Sequence, residues 1–107
     1  MAVQFGTIVS GQTVSSAFTL AATDRTLLVG VSSHAAVLWF ASFANTTTGP
    51  FLKYLDPWSS VSGAVLAVAG GGWGTIPYPP TTVCRIETSA AVSATTSFQL
   101  VEAVRAS

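Results

Sequence analysis

One histidine, one thiol and four carboxylates are the stock from which this chain of 107 residues could draw an acid, a base or a nucleophile. A hydrolase or transferase needs a base beside its nucleophile or a pair of carboxylates, and this supply is thin. His34 stands in Ser32-Ser33-His34-Ala35, and a serine two residues from a histidine implies no general-base geometry; it reads as a loop or interface residue. Cys84, in a strand-like run, reads as a small buried hydrophobe rather than a reactive thiol. Alone, it can form neither an internal disulfide nor a zinc site. Asp24, Asp56, Glu87 and Glu102 fall in four separate regions, whereas calcium ligands usually cluster in one loop. No catalytic residue, metal or cofactor is expected, and an enzyme is the weakest functional class.

Two short motifs suggest chemistry and lack its context. Gly70-Gly71-Gly72-Trp73-Gly74 could cradle a phosphate, but no Lys-Ser/Thr follows and no helix opens there to hold the anion. It reads as a flexible loop. Asn45-Thr46-Thr47 matches the glycosylation acceptor pattern, yet the amino-terminal residues carry no basic region or apolar stretch of a secretory signal. It reads as a turn, in a chain for which intracellular synthesis is expected.

The loop aromatics are more informative. Trp58 and Trp73 fall in predicted loops with Phe51, Tyr54 and Tyr78 nearby in sequence, and large aromatics in loops are enriched where surfaces bind. They could stack on sugars, anchor a protein interface, or fold inward to cap the ends of the domain. Trp39, in a predicted strand, belongs to the core.

Composition narrows the partners. Charged residues make up 7% of the chain and apolar ones 50%, and four basic residues balance four acidic ones. Ser and Thr occupy 27 positions, so the solvent-facing surface is built from small hydroxyl side chains, which excludes a salt-bridged helix or coiled coil. No basic patch exists to neutralise phosphates, so nucleic-acid binding is not expected. Leu27 to Ala44 is long enough to tempt a membrane reading, but it contains Gly30, Ser32, Ser33, His34 and Ser42 and has no flanking cations; no membrane is expected. A chain with so few ions is poorly protected against self-association, so partners should cover much of its surface.

The elements that must position these residues are strands. Val, Thr, Ile and aromatics recur in short runs punctuated by Gly, Pro, Asn and Asp, the mark of an all-β domain. The pattern predicts strands over 2–9, 12–20, 26–31, 37–43, 51–55, 61–69, 81–88 and 95–104, with an irregular loop over 70–80. The run at 26–31 should be covered on both faces and that at 81–88 should have one wet face, while 10–11 should form a hairpin or a corner. Seven or eight strands at this spacing predict a single-domain antiparallel β-sandwich over residues 1–107, jelly-roll-like.

At Ile8-Val9-Ser10-Gly11-Gln12-Thr13-Val14-Ser15-Ser16-Ala17-Phe18-Thr19-Leu20, followed by Thr26-Leu27-Leu28-Val29-Gly30-Val31, the chain resembles small β-sandwich accessory proteins of tailed-bacteriophage virions. The likeness is carried by the first thirty or so residues and by the Thr- and Val-rich strand at 95–104. It implies a capsid decoration or cement protein on the virion surface, often a homotrimer, that clamps major capsid protein subunits. Phe51, Trp58 and Trp73 are then the expected contacts, with the terminal strands as edges for pairing. A glycan-binding β-sandwich module, or a low-copy head, tail or fibre component, fits the same residues.

Overall fold

The computed structural model describes residues 2–32, 38–69 and 71–104; His34 lies outside them. Nine antiparallel strands run in chain order: β1 (Ala2–Ile8), β2 (Phe18–Thr19), β3 (Arg25–Val31), β4 (Leu38–Ala44), β5 (Leu52–Lys53), β6 (Ala67–Ala69), β7 (Trp73–Ile76), β8 (Val83–Thr88) and β9 (Thr96–Val104). They form two sheets. The first has the order β1-β9-β3-β7, and the second β2-β8-β4-β5, with β6 also paired to β4.

Because β8 occupies one side of β4 along 39–44, β5 and β6 share the other side as one interrupted strand. Each sheet then has four strands, and consecutive strands largely alternate between sheets. This is a jelly roll, in which non-local pairing closes both sheets. Gly11, at φ +85°, turns the chain from β1 in the first sheet towards the second, its amide donating to Val92 O at 2.7 Å. The predicted hairpin or corner at 10–11 is therefore a corner.

Alternation sends Leu27, Val29 and Val31 of β3, Trp39, Ala41 and Phe43 of β4, Cys84 and Ile86 of β8, and Phe98 and Leu100 of β9 into one shared core. Phe98 joins the two layers. Its ring meets Phe18 edge-on at 5.6 Å and Trp39 at 6.2 Å between centroids, both from the second sheet. Opposite Phe98 on β1 stands Gly6, where an added Cβ would lie 2.5 Å from both the Phe18 and Phe98 rings. At the other side of the sandwich Gly74 lies against the Val68 side chain. A glycine on each edge strand of the first sheet thus lets the second sheet close over it.

The strands at 26–31, 81–88 and 95–104 form nearly as predicted, but β3 is fully covered on its inner face only: on the outer face Gly30 is buried while Thr26 and Leu28 are half-buried. Four further expectations need correction. The strand expected over 12–20 shrinks to a bridge at Val14 and the short β2, because Ser15 is buried and pairs through its own hydroxyl and amide with the Ile86 backbone at 3.0 and 2.9 Å. The strands expected over 51–55 and 61–69 form only at 52–53 and 67–69, since the chain between them turns through Gly63 at φ +77°. The loop expected over 70–80 contains β7, which pairs with β3. Finally, β9 is not an edge: it lies between β1 and β3, and of the two terminal strands only β1 is at the margin of its sheet.

Replacing Gly6 with alanine should displace both rings and lower stability by about 1–3 kcal/mol, read as a shift in the urea unfolding midpoint. An unchanged midpoint would mean that the two sheets do not close over this position.

Candidate functional site

Each of the four carboxylates has a partner within the fold. Glu102 is 3% exposed and accepts a hydrogen bond from the Ala21 amide at 2.9 Å. Asp56 accepts one from the Trp58 amide at 2.9 Å, a local turn, and Asp24 is an exposed side chain 3.8 Å from Arg25. Glu87 sits on the outer face of the second sheet between Arg85 at 3.0 Å and Lys53 at 3.4 Å. Burial opposes its charge, but the hydrogen bond from Arg85 and the charges of Arg85 and Lys53 outweigh it, so its carboxyl is held below the ordinary glutamate range. Arg85 in turn lies 4.2 Å over the Phe51 ring.

Cys84 is fully buried, and desolvation, reinforced by the Glu102 charge, pushes its thiol up to about 12. Among the described residues, no three of His, Cys, Asp and Glu come together as a metal site would require, and no helix is long and apolar enough to cross a membrane. Asn45-Thr46-Thr47 lies in a turn closed by the Gly49 amide donating to Thr46 O at 3.1 Å.

The five aromatics singled out from the sequence separate into three environments. Tyr54 folds inward, packing edge-on against Phe43 at 5.8 Å, and Phe51 lies half-buried under Arg85. Trp58 and Tyr78 remain exposed in the connections around the second sheet. Trp73 is exposed too, but it stands on β7 in the first sheet. Trp58 and Trp73 therefore do not build one surface.

Two surfaces emerge instead. One is the excursion between β5 and β6, pinned at its base by the Tyr54 amide to Ala41 O and the Leu66 amide to Tyr54 O. It carries Leu55, Trp58 and Val61 and follows Leu52 of β5, each of the four more than half exposed. A cavity of about 690 Å³ opens at its foot, lined by Leu52, Tyr54, Leu55, Pro50, Pro57 and Pro80 among others.

The other surface is the outer face of the first sheet. Strand β1 turns Ile8 into the core and leaves Val3, Phe5 and Val9 in solvent, with Phe5 70% exposed. Its more apolar alternation thus faces outward, the reverse of an ordinary half-buried strand. Strand register places Phe5, Gln99, Gly30 and Trp73 in one row across all four strands. Sequence reading missed Phe5 because a phenylalanine in a regular strand is indistinguishable from a core residue until the face is known. The signal lay in its neighbours: Gly6 and Gln4 on the opposite alternation are poor core residues.

Comparison with protein-family models, with curated proteins and with solved structures finds no match to the chain. Function is therefore argued from these surfaces.

Two outcomes check the electrostatics. The native protein at pH 8 should leave Cys84 unmodified by iodoacetamide, and urea should make it reactive; rapid labelling of the folded chain would contradict a buried, raised thiol. Glu87→Gln should destabilise by less than about 1 kcal/mol at neutral pH. Because the folded carboxyl titrates below the unfolded one, that difference should be full above the ordinary glutamate range and fade as the pH falls through the lowered value, as read from urea melts across pH.

Proposed function

We propose that this chain is a non-catalytic structural protein of a tailed-bacteriophage virion: a capsid decoration or cement protein that sits on the outer shell, as a homotrimer, and clamps major capsid protein subunits. The observation that carries the reading is the excursion at 52–61. A chain with so few charges holds Leu52, Leu55, Trp58 and Val61 in solvent on a hydrogen-bonded hairpin, and exposed apolar clusters of this kind mark protein contacts. The resemblance of residues 8–31 to virion accessory proteins supplies the partner. The jelly roll adds a fold-level analogy, since viral capsid domains use it, although fold alone does not fix function.

The mechanism needs no reacting group. A protein that binds only the expanded shell stabilises that state by its binding free energy, repeated over many sites. The outer face of the first sheet is then free for another task.

The copy number per purified virion, measured by quantitative mass spectrometry against the major capsid protein, tests the assignment. Hundreds of copies in simple ratio to the capsid subunit are expected; a handful would move the chain to the tail or fibre, and none would remove the virion reading. Leu55→Ser and Trp58→Ala should each weaken co-sedimentation with shells about tenfold, near 1.4 kcal/mol, while leaving the unfolding midpoint unchanged.

A further inference from the structure

The outer face of the first sheet is the part of the molecule that neither the core nor the excursion explains. A cavity of about 520 Å³ lies on it, lined by side chains of Phe5, Thr7, Ser32, Trp73, Ser97 and Gln99 and by glycine backbone at 30, 71 and 72. That volume is in the range of small-molecule sites.

Its shape follows from one glycine. A Cβ at Gly30 would lie 2.7, 2.7 and 2.8 Å from three consecutive atoms of the Trp73 six-membered ring. A point equidistant from three atoms of a ring lies on the ring's axis. The indole is therefore laid face-down over Gly30, and its other face is turned to solvent, consistent with an exposure of 59%. An aromatic ring covering a cross-strand glycine in this way is fixed by the sheet itself, so the platform is already formed without a ligand.

Phe5 stands three strands from Trp73, about 14 Å at the usual strand spacing. Since the indole reaches back over β3, the open trough between the two aromatics spans about 10 Å, or two strand spacings. Along its floor and rim run neutral hydrogen-bonding groups: the Gln99 amide and the Thr7 and Ser97 hydroxyls, all exposed. Among the described residues, no ionisable side chain lines it; Lys53, Arg85 and Glu87 are gathered on the other sheet.

Those features select the ligand. A phosphate or sulfated polymer would need cations, and a lipid chain would leave the amide and hydroxyls unpaired. A sugar ring offers what the trough lacks: an apolar C–H face for the indole and uncharged hydroxyls for Gln99, Thr7 and Ser97. We propose that this face is a binding site for a neutral saccharide, with Trp73 as stacking platform, Phe5 as opposing wall and Gln99 as central hydrogen-bonding group. The proposal rests on this face alone and does not depend on shell binding.

The test uses the Trp58→Phe variant, in which Trp73 is the one exposed indole and Trp39 is buried. It is titrated by fluorescence with β-1,4-glucose, α-1,4-glucose and β-1,4-N-acetylglucosamine hexasaccharides. At least one should shift the emission saturably, with an affinity insensitive to added salt because no charge takes part. Within that background, Phe5→Ala and Gln99→Ala should each raise the Kd about tenfold. Followed by calorimetry, Trp73→Ala should do the same. Gly30→Ala, which keeps both aromatics but pushes the ring off the sheet, should weaken binding with the circular dichroism spectrum unchanged. The proposal is overturned if no hexasaccharide shifts the emission, if Trp73→Ala leaves the Kd unchanged, or if the free protein proves to be a dimer that Trp73→Ala dissolves. The last result would make the face a contact between copies.

Discussion

Phe98 is the residue on which the two sheets depend. It leaves β9, in the middle of the first sheet, and meets Phe18 and Trp39 of the second sheet edge-on, and it can do so only because Gly6 beside it has no side chain. Large aromatics dominate core energetics, and removing one from a packed site typically costs about 3–5 kcal/mol. The glycine and the ring are thus one device: the edge strand gives up its own core residue so that its neighbour can fill the space of both.

The consequence reaches the surface. A strand whose inward alternation reads Gln4, Gly6, Ile8 contributes little to the core, and its outward alternation carries Val3, Phe5 and Val9. Two strands away the arrangement is mirrored outward, with Gly30 covered by Trp73. The same pairing of a glycine with a cross-strand aromatic closes the core from inside and lays a platform on the outside. Charge follows this division, for the Lys53–Glu87–Arg85 cluster occupies the outer face of the second sheet, while among the described residues the first sheet's outer face carries no charged side chain.

Much of the framework was legible in the residues. The alternation in Val83 to Thr88 declares both the strand and its faces, because Arg85 and Glu87 alternate with Cys84 and Ile86; in Thr96 to Val104 the strand is plain, but Glu102 falls on the core side with Phe98 and Leu100. Short pieces were harder. Trp73 to Ile76 follows three glycines and precedes prolines, local signals of a loop, yet tertiary pairing with β3 makes it a strand. The stretch at 61–66 looked like strand because 61–69 is rich in Val and Ala, whereas the chain from 54 to 66 is held as an excursion by hydrogen bonds to Ala41 and within itself. The candidate aromatics were visible as types, but their grouping was not: sequence proximity joined Trp58 with Phe51 and Tyr54, whereas the fold places Trp73 with Phe5, almost seventy residues away, through strand register alone.

On the proposed function, the β5–β6 excursion contacts a shell while the outer face of the first sheet remains open. Hydroxyl-radical footprinting of the chain, free and bound to particles, tests this division most directly. The account predicts that Leu52, Leu55 and Trp58 lose reactivity on the particle while Phe5 and Trp73 keep theirs. Protection of Phe5 and Trp73 with Trp58 unchanged would contradict it, and so would equal reactivity of all five in both states.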